Sequence, residues 1–187
     1  MKIIIGLLGT MGSGKTTASD YFVKKHGFYR VIMGDLVREV ARKEGLELTR
    51  KNLQLVQKKY RKKYGEDYFI NLTIEKLKRS KTKKWLIDGI RVPEDAKVAK
   101  QNNAFLVFID AKPEIRYERM QTRGREGERK KIIKEFKEDE KREWKLLDFK
   151  KTLRYVDKKI ENNKSLKDFY MIIDKIIGKL TKIKKAE

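Results

Sequence analysis

The sequence predicts a three-layer α/β fold with a mostly parallel, five-stranded sheet. Short apolar runs of strand length alternate with helical segments along the chain, and the first run leads through a glycine-rich loop directly into a helix. Strand, helix and strand connected in this way form parallel pairs with helices on both faces of the sheet. The 187 residues suffice for one such domain with an inserted lid and are too few for two independent domains.

Four apolar runs predict strands, and a weaker run near the end predicts a fifth. The runs are continuous rather than alternating, as in strands that are buried on both faces. The run over residues 104–110 is the strongest strand signal in the chain. The predicted strands span residues 2–8, 28–33, 85–88, 104–110 and 152–160.

Residues that favour helix starts mark the intervening helices. Thr49 begins one helix, Pro93 lies in the first turn of another, and Ser165 with Asp168 forms a capping box before the last, amphipathic helix. The other helices follow from their apolar periodicity. The predicted helices span residues 15–25, 34–43, 67–79, 93–100 and most of 113–150, together with those that follow Thr49 and Ser165.

The composition excludes several kinds of site. The chain has no cysteine and one histidine, so disulfides, thiolate catalysis, cysteine-ligated metals and multi-histidine metal sites are excluded. The longest apolar stretch, residues 3–9, is far too short to span a bilayer. We therefore expect a cytoplasmic protein with no membrane partner.

A large excess of basic residues favours an anionic partner. Lys and Arg together number 49 against 27 Asp and Glu, which gives a formal net charge of +22. Lysines spread over helix exteriors are commonly a solvated surface, so this charge permits a nucleic-acid partner without requiring one. The arginines concentrated over residues 116–129 are different, because a planar guanidinium is the preferred bidentate partner of phosphate.

One motif points directly to nucleotide phosphates. Residues 9–16 read GTMGSGKT and fit the pattern G-x-x-x-x-G-K-[ST] in full, after an apolar strand and before a helix. Backbone N–H groups of such a loop surround the phosphates, Lys15 reaches the β and γ oxygens, and Thr16 offers its hydroxyl to Mg²⁺. The sequence therefore predicts a P-loop NTPase fold that binds ATP and Mg²⁺. The predicted nucleotide-binding residues are Gly9, Thr10, Met11, Gly12, Ser13, Gly14, Lys15, Thr16 and Thr17.

A second motif supplies a carboxylate for the metal. Residues 86–89 read LIDG, an apolar strand that ends in Asp88. Parallel strands that follow a P-loop bring such a residue to the carboxyl edge of the sheet beside the phosphates. We therefore predict that Asp88 and Thr16 hold the magnesium.

Two segments resemble the adenylate kinase-like nucleoside monophosphate kinases. Residues 34–38, GDLVR, are similar to the Gly-Asp-x-x-Arg element of that family. Residues 88–91, DGIR, are similar to its Asp-Gly-x-Pro-Arg element, without the proline and one residue shorter. The resemblance implies that Arg38 and Arg91 bind the acceptor phosphate and that Asp35 faces the magnesium.

The second half of the chain continues this resemblance in the same order. Residues 118–125, ERMQTRGR, resemble the entry to the family's lid, and residues 157–165 resemble the turn near the donor base, which implicates Asn162. With residues 139–143, DEKRE, the set is closer still to the archaeal adenylate kinase-related proteins, a group also similar to dephospho-CoA kinase. The resemblance implies an acceptor-binding insertion over residues 34–80 and a short helical lid over residues 116–145.

The spacing of the lid arginines supports a role at the phosphates independently of the family resemblance. Arg116, Arg119 and Arg123 share one helix face, and Arg125 follows a glycine that offers a hinge. We predict that Arg119, Arg123 and Arg125 act on the transferring phosphoryl group. Arg116 is expected to form ion pairs on a solvated face instead, with Glu118, Glu126 or Glu128 as partners.

These residues together predict a magnesium-dependent kinase that uses ATP and phosphorylates a small phosphorylated acceptor, with Lys15 and Asp35 in the catalytic set. Arg38 and Arg91 are two cations for which a bare hydroxyl has no use, which favours a nucleoside monophosphate. Transfer to a hydroxyl, as on dephospho-CoA, is the alternative, and Asp35 would then be the general base. A nucleic-acid-associated P-loop ATPase or RNA kinase is a further alternative that the charge allows.

Overall fold

All the ladders of the central sheet are parallel. A computed structural model describes residues 2–123 and 132–186, apart from the side chains of residues 50, 123 and 183–186. The strand order is β2-β3-β1-β4-β5, so the first strand lies at the centre. This confirms the predicted fold class. The strands are β1 (Ile3–Gly9), β2 (Tyr29–Ile32), β3 (Lys84–Asp88), β4 (Phe105–Asp110) and β5 (Lys158–Glu161).

Helices cover both faces of the sheet and give three layers. The described helices are α1 (Lys15–His26), α2 (Met33–Lys43), α3 (Arg50–Tyr64), α4 (Tyr68–Lys78), α5 (Pro93–Gln101), α6 (Pro113–Arg123), α7 (Ile133–Leu146), α8 (Phe149–Thr152) and α9 (Leu166–Ala186). Alternate residues of β1 enter two apolar cores: Ile4 and Leu8 pack with α2, α4 and α5, while Ile5 and Leu7 pack with α1 and α9. No described helix is long and apolar enough to cross a membrane.

The strand register brings the functional motifs to one edge of the sheet. Leu7 of β1 and Ile32 of β2 both pair with Asp88 of β3, and Gly9 pairs with Ile109 of β4. The loop after β1, the start of α2 and the ends of β3 and β4 therefore meet at the carboxyl edge, where ligands of open parallel sheets bind.

The fifth strand begins later than its apolar pattern predicts. Leu153–Tyr155 forms a 3₁₀ turn, and the strand starts at Lys158. Leu153 and Tyr155 pack against the core from this turn, and the hydroxyl of Thr152 donates to the backbone oxygen of Arg91 at 3.1 Å. The apolar residues of this segment are thus partly buried without forming a strand, so the predicted strand over 152–160 was wrong in its first half.

A buried ion pair fixes α3 to α5. Arg61 Nη2 lies 3.0 and 2.9 Å from the two carboxylate oxygens of Asp95, which is only 2% exposed. Burial of the carboxyl group outweighs the attraction of Arg61 and raises the pKa of Asp95 to about 6. The helices expected to cover the acceptor are therefore tied to the main domain by a titratable group.

Candidate active site

The loop between β1 and α1 has the backbone of a phosphate-binding loop. Gly12 and Gly14 adopt left-handed φ values of +75° and +94°. A Cβ at Gly12 would overlap the backbone of Arg116, and one at Gly14 would overlap the side-chain amide of Asn162. Both positions therefore require glycine for conformation and for space.

The cation of the loop lies on the acidic end of β3. Lys15 Nζ is 2.9 Å from Asp88 Oδ1, and Asp88 is 3% exposed. The lysine starts α1 and the aspartate ends β3, so the two predicted donor-side residues meet although they are far apart in sequence. The pair places a cation at the point where phosphate oxygens would arrive, and it gives the buried carboxylate a partner.

Two observations test whether the loop fits a bound phosphate. Ser13 is 1% exposed, and its hydroxyl oxygen has no hydrogen-bond partner within the described part of the chain. The loop also precedes the N-terminus of α1, where backbone N–H groups lack partners within the helix. A polyphosphate would satisfy both kinds of group, so the residues present fit a nucleotide.

The residues present also fit a magnesium ion that accompanies a nucleotide. Thr16 is exposed in the first turn of α1, and Asp88 lies at the sheet edge next to Lys15. No group of three or more metal-ligating side chains occurs within residues 2–123 and 132–186. Mg²⁺ is commonly held by one or two protein groups with phosphates and waters, so this sparse set suits a nucleotide-borne ion.

Two predicted residues support the back of the phosphate loop. The Asn162 side chain is buried and donates to the backbone oxygen of Ser13 at 2.9 Å. Arg119 donates to the Asn162 backbone oxygen at 3.1 Å and to the Gly12 oxygen at 3.5 Å. Partial burial lowers the pKa of the Arg119 guanidinium, although it remains charged at neutral pH. Asn162 therefore contacts the loop directly, and Arg119 contacts both the loop and Asn162. Their predicted roles at the donor base and at the transferring phosphoryl group stay predictions.

The prediction for Arg116 was wrong. Arg116 was expected on a solvated face, but it is 4% exposed and forms a two-point ion pair with Glu140 of α7. Two of its expected partners, Glu126 and Glu128, lie outside the described residues. Its helix packs directly against the phosphate loop, which buries this face of α6. Sequence spacing within one helix could not reveal a partner on another. The prediction for Arg125 lies outside the described residues, as does that for the Arg123 side chain.

The predicted acceptor-side residues are already paired. Arg38 Nη1 donates to Asp35 Oδ1 at 2.7 Å in the first turns of α2, and both side chains are solvent accessible. Arg91, which follows β3, is half-exposed and forms an ion pair with Glu143 of α7. An arriving phosphate would meet two guanidinium groups that each have further donors to offer.

The sequence predicted no role for three carboxylates of the site. Asp110 ends β4 as Asp88 ends β3, and it accepts a long hydrogen bond of 3.4 Å from the Thr10 hydroxyl. Glu140 and Glu143 lie three residues apart on α7 and hold Arg116 and Arg91. The strand-terminal position of Asp110 was a signal available in the sequence. The two glutamates belong to the DEKRE segment that carried the family resemblance, but that resemblance implied no role for them, and α7 is rich in charged residues throughout.

Comparisons with known proteins agree with this geometry. A family model described as an AAA domain matches residues 5–145. A UPF0200/UPF0201 protein of Archaeoglobus fulgidus is 35% identical over 96% of this chain, which spans 56% of that relative's length. A UPF0200 protein of Thermococcus kodakarensis is 30% identical over 95% of this chain and the whole of its own. The fold is similar to that of shikimate kinase from Acinetobacter baumannii, with a TM-score of 0.60 and 18% identity over 95% of this chain and 93% of that one.

Proposed function

Because this chain belongs to the UPF0200 proteins and to the AAA domain family and shares the fold of shikimate kinase, we propose that it is a P-loop kinase. The proposed reaction transfers the γ-phosphoryl group of ATP to a small phosphorylated acceptor. The proposed acceptor is a nucleoside monophosphate. The observation that carries the proposal is the contact of 2.9 Å between Lys15 and Asp88, beside a loop in which Gly12 and Gly14 adopt left-handed φ angles.

On the donor side, the chain's own residues bind and orient the triphosphate. The loop N–H groups and the Ser13 hydroxyl face the phosphates, and Lys15 exchanges its contact with Asp88 for the β and γ oxygens. Thr16 and Asp88 would hold Mg²⁺, which when bound supplies charge neutralisation for the phosphates. Arg119, already bonded to the loop, adds a cation close to the transferring group.

On the acceptor side, the arginines support a phosphorylated substrate. Arg38 and Arg91 lie at the starts of the segments that follow β2 and β3, at the same edge of the sheet as Lys15. Phosphate binds guanidinium groups through paired hydrogen bonds. A monophosphate acceptor is itself anionic and needs no general base, so Asp35 has the role of orienting Arg38, to which it is bonded at 2.7 Å.

A panel of acceptors incubated with γ-labelled ATP and Mg²⁺ tests this proposal. It contains the four nucleoside monophosphates, dephospho-CoA, shikimate, RNA with a free 5′ hydroxyl, and water as the acceptor in a blank. We expect label in a nucleoside diphosphate. Label only in dephospho-CoA or RNA would replace the proposed acceptor, and release of phosphate alone would replace the kinase with an ATPase.

A further inference from the structure

A buried arginine that the proposed mechanism does not use lies against the phosphate loop. The Nε atom of Arg116 donates to the Ala111 backbone oxygen at 2.8 Å, and its Nη2 atom donates to Glu140 Oε2 at 2.9 Å. Its Nη1 atom contacts Glu140 Oε1 and lies 3.5 Å from the backbone oxygen of Met11 in the loop. Nearly all of its donors are thus occupied, and one of them faces the loop.

Two carboxylates lie close to the guanidinium group of Arg116. Besides Glu140, the Asp110 Oδ1 atom lies 3.6 Å from Arg116 Nε. Asp110 has a second cationic neighbour in Lys159, but that amine is 3.9 Å away, half-exposed, and bonded at 3.0 Å to Glu161. Within the described part of the chain, Arg116 is therefore the main neutralising charge for Asp110 and Glu140.

Two of these three residues, Asp110 and Arg116, are in direct contact with the loop, and Glu140 reaches it through Arg116. The Thr10 hydroxyl donates to Asp110 Oδ1 at 3.4 Å, and the Gly12 backbone packs so closely on Arg116 that no Cβ fits between them. Phosphates held by this loop would lie close to the Asp110 carboxylate and to the ion pair of Arg116 with Glu140. Unneutralised negative charge at this distance would repel them, and the low dielectric of a buried site would strengthen that repulsion.

We propose that Arg116 is a positioning residue of the nucleotide site: it holds the carboxylates of Asp110 and Glu140 and so keeps the phosphate loop electrostatically receptive to ATP. The pair is more than a structural clamp between α6 and α7, because its charge balance sets the affinity of the loop for phosphate. This inference rests on the nucleotide-binding part of the proposed function and on no choice of acceptor.

Calorimetric titration of ATP with Mg²⁺ into folded variants tests the inference. Glu140→Gln removes one negative charge while Arg116 remains, so ATP should bind roughly two- to tenfold more tightly. Arg116→Met leaves both carboxylates unneutralised, so ATP should bind roughly 10- to 100-fold more weakly, with a smaller loss for ADP. Arg116→Lys keeps the charge and should bind ATP within a few-fold of the wild type. The double variant Arg116→Met with Glu140→Gln should recover most of the lost affinity.

A merely structural role predicts a different result. It requires Glu140→Gln to weaken ATP binding or leave it unchanged, and either outcome overturns the inference even if Arg116→Met fails to fold. Arg61→Met is the matched control, because it breaks another buried pair, with Asp95, outside the phosphate loop. Its stability should fall while its ATP affinity stays at the wild-type value, and an equal loss of affinity would refute the inference.

The same titration separates this inference from the proposed function. If the wild type does not bind ATP, both fail together. If it binds ATP but transfers no phosphoryl group to any acceptor, the kinase proposal fails, while the order of the Arg116 and Glu140 variants still decides the inference.

Discussion

The buried carboxyl group of Asp95 makes the stability of the fold depend on pH in an unusual direction. Its pKa is raised from 3.8 to about 6 because burial opposes ionisation more than Arg61 favours it. Between these two values the folded chain binds more protons than the unfolded chain at this site. The contribution of Asp95 to the free energy of unfolding is therefore fully present below about pH 4 and falls as the pH rises towards 6.

Replacing Asp95 with Asn removes this titration while it keeps the size of the side chain and an oxygen for Arg61. A pKa rise from 3.8 to about 6 corresponds to about 3 kcal/mol, at about 1.4 kcal/mol for each pKa unit. We expect the stability of Asp95→Asn to improve relative to the wild type by up to this amount between pH 4 and pH 6.5. Urea denaturation at several pH values measures the difference, and the other titrating groups cancel because both proteins share them.

Glu94→Gln is the matched control, since Glu94 lies next to Asp95 on α5 with its side chain about one-third exposed. Its stability should track that of the wild type at every pH within roughly 0.5 kcal/mol. Parallel curves for Asp95→Asn and the wild type would refute the reasoning, because they would mean that the carboxyl group titrates alike in the folded and unfolded chains.

Three further predictions concern the site. Gly14→Ala should weaken ATP binding roughly tenfold or more, because the φ angle of Gly14 is +94° and an added Cβ would overlap Asn162. The control Gly178→Ala, where an added Cβ has open space, should bind ATP as the wild type does. Normal ATP binding by both variants would contradict the assignment of the loop. ATP with Mg²⁺ at about 100 times its dissociation constant should raise the free energy of unfolding by about 2.7 kcal/mol and the melting temperature by roughly 5–10 °C. No shift of the melting temperature at millimolar nucleotide in differential scanning calorimetry would count against nucleotide binding. Asp35→Asn should leave the pH-rate profile unchanged if the acceptor is a monophosphate. If Asp35 is a general base, the variant should lower the rate of the chemical step roughly 10²- to 10⁴-fold. The second result would mean that the acceptor group is a hydroxyl.

The sequence was sufficient for the features that depend on local chemistry. The local backbone conformation follows from continuous apolar runs, from a helix-capping box and from the glycine pattern. For the capping box, the structure confirms the hydrogen bond of 3.2 Å from the Asp168 N–H to the Ser165 hydroxyl. Because parallel strands end at a common edge, the meeting of Lys15 and Asp88 also followed from topology.

The sequence was insufficient where partners come from separate elements. Arg116 has acidic neighbours on its own helix, yet its partner is Glu140 of α7, which depends on how two helices pack. Arg91 pairs with Glu143 for the same reason. In a chain with 41% charged residues, spacing offers many equally good ion pairs, and only tertiary packing selects among them.

Transfer of labelled γ-phosphate from ATP to a nucleoside monophosphate by the wild type and by Lys15→Ala tests the central claim most directly. The account predicts transfer by the wild type and a loss of roughly 10²-fold or more in the variant. Circular dichroism must show that the variant is folded, because Lys15→Ala leaves the buried Asp88 without this partner. Lys25→Ala, at the exposed end of the same helix, should transfer at the wild-type rate. Equal transfer by Lys15→Ala, folded and free of contaminating kinase, would contradict the assignment of this loop as the site of catalysis.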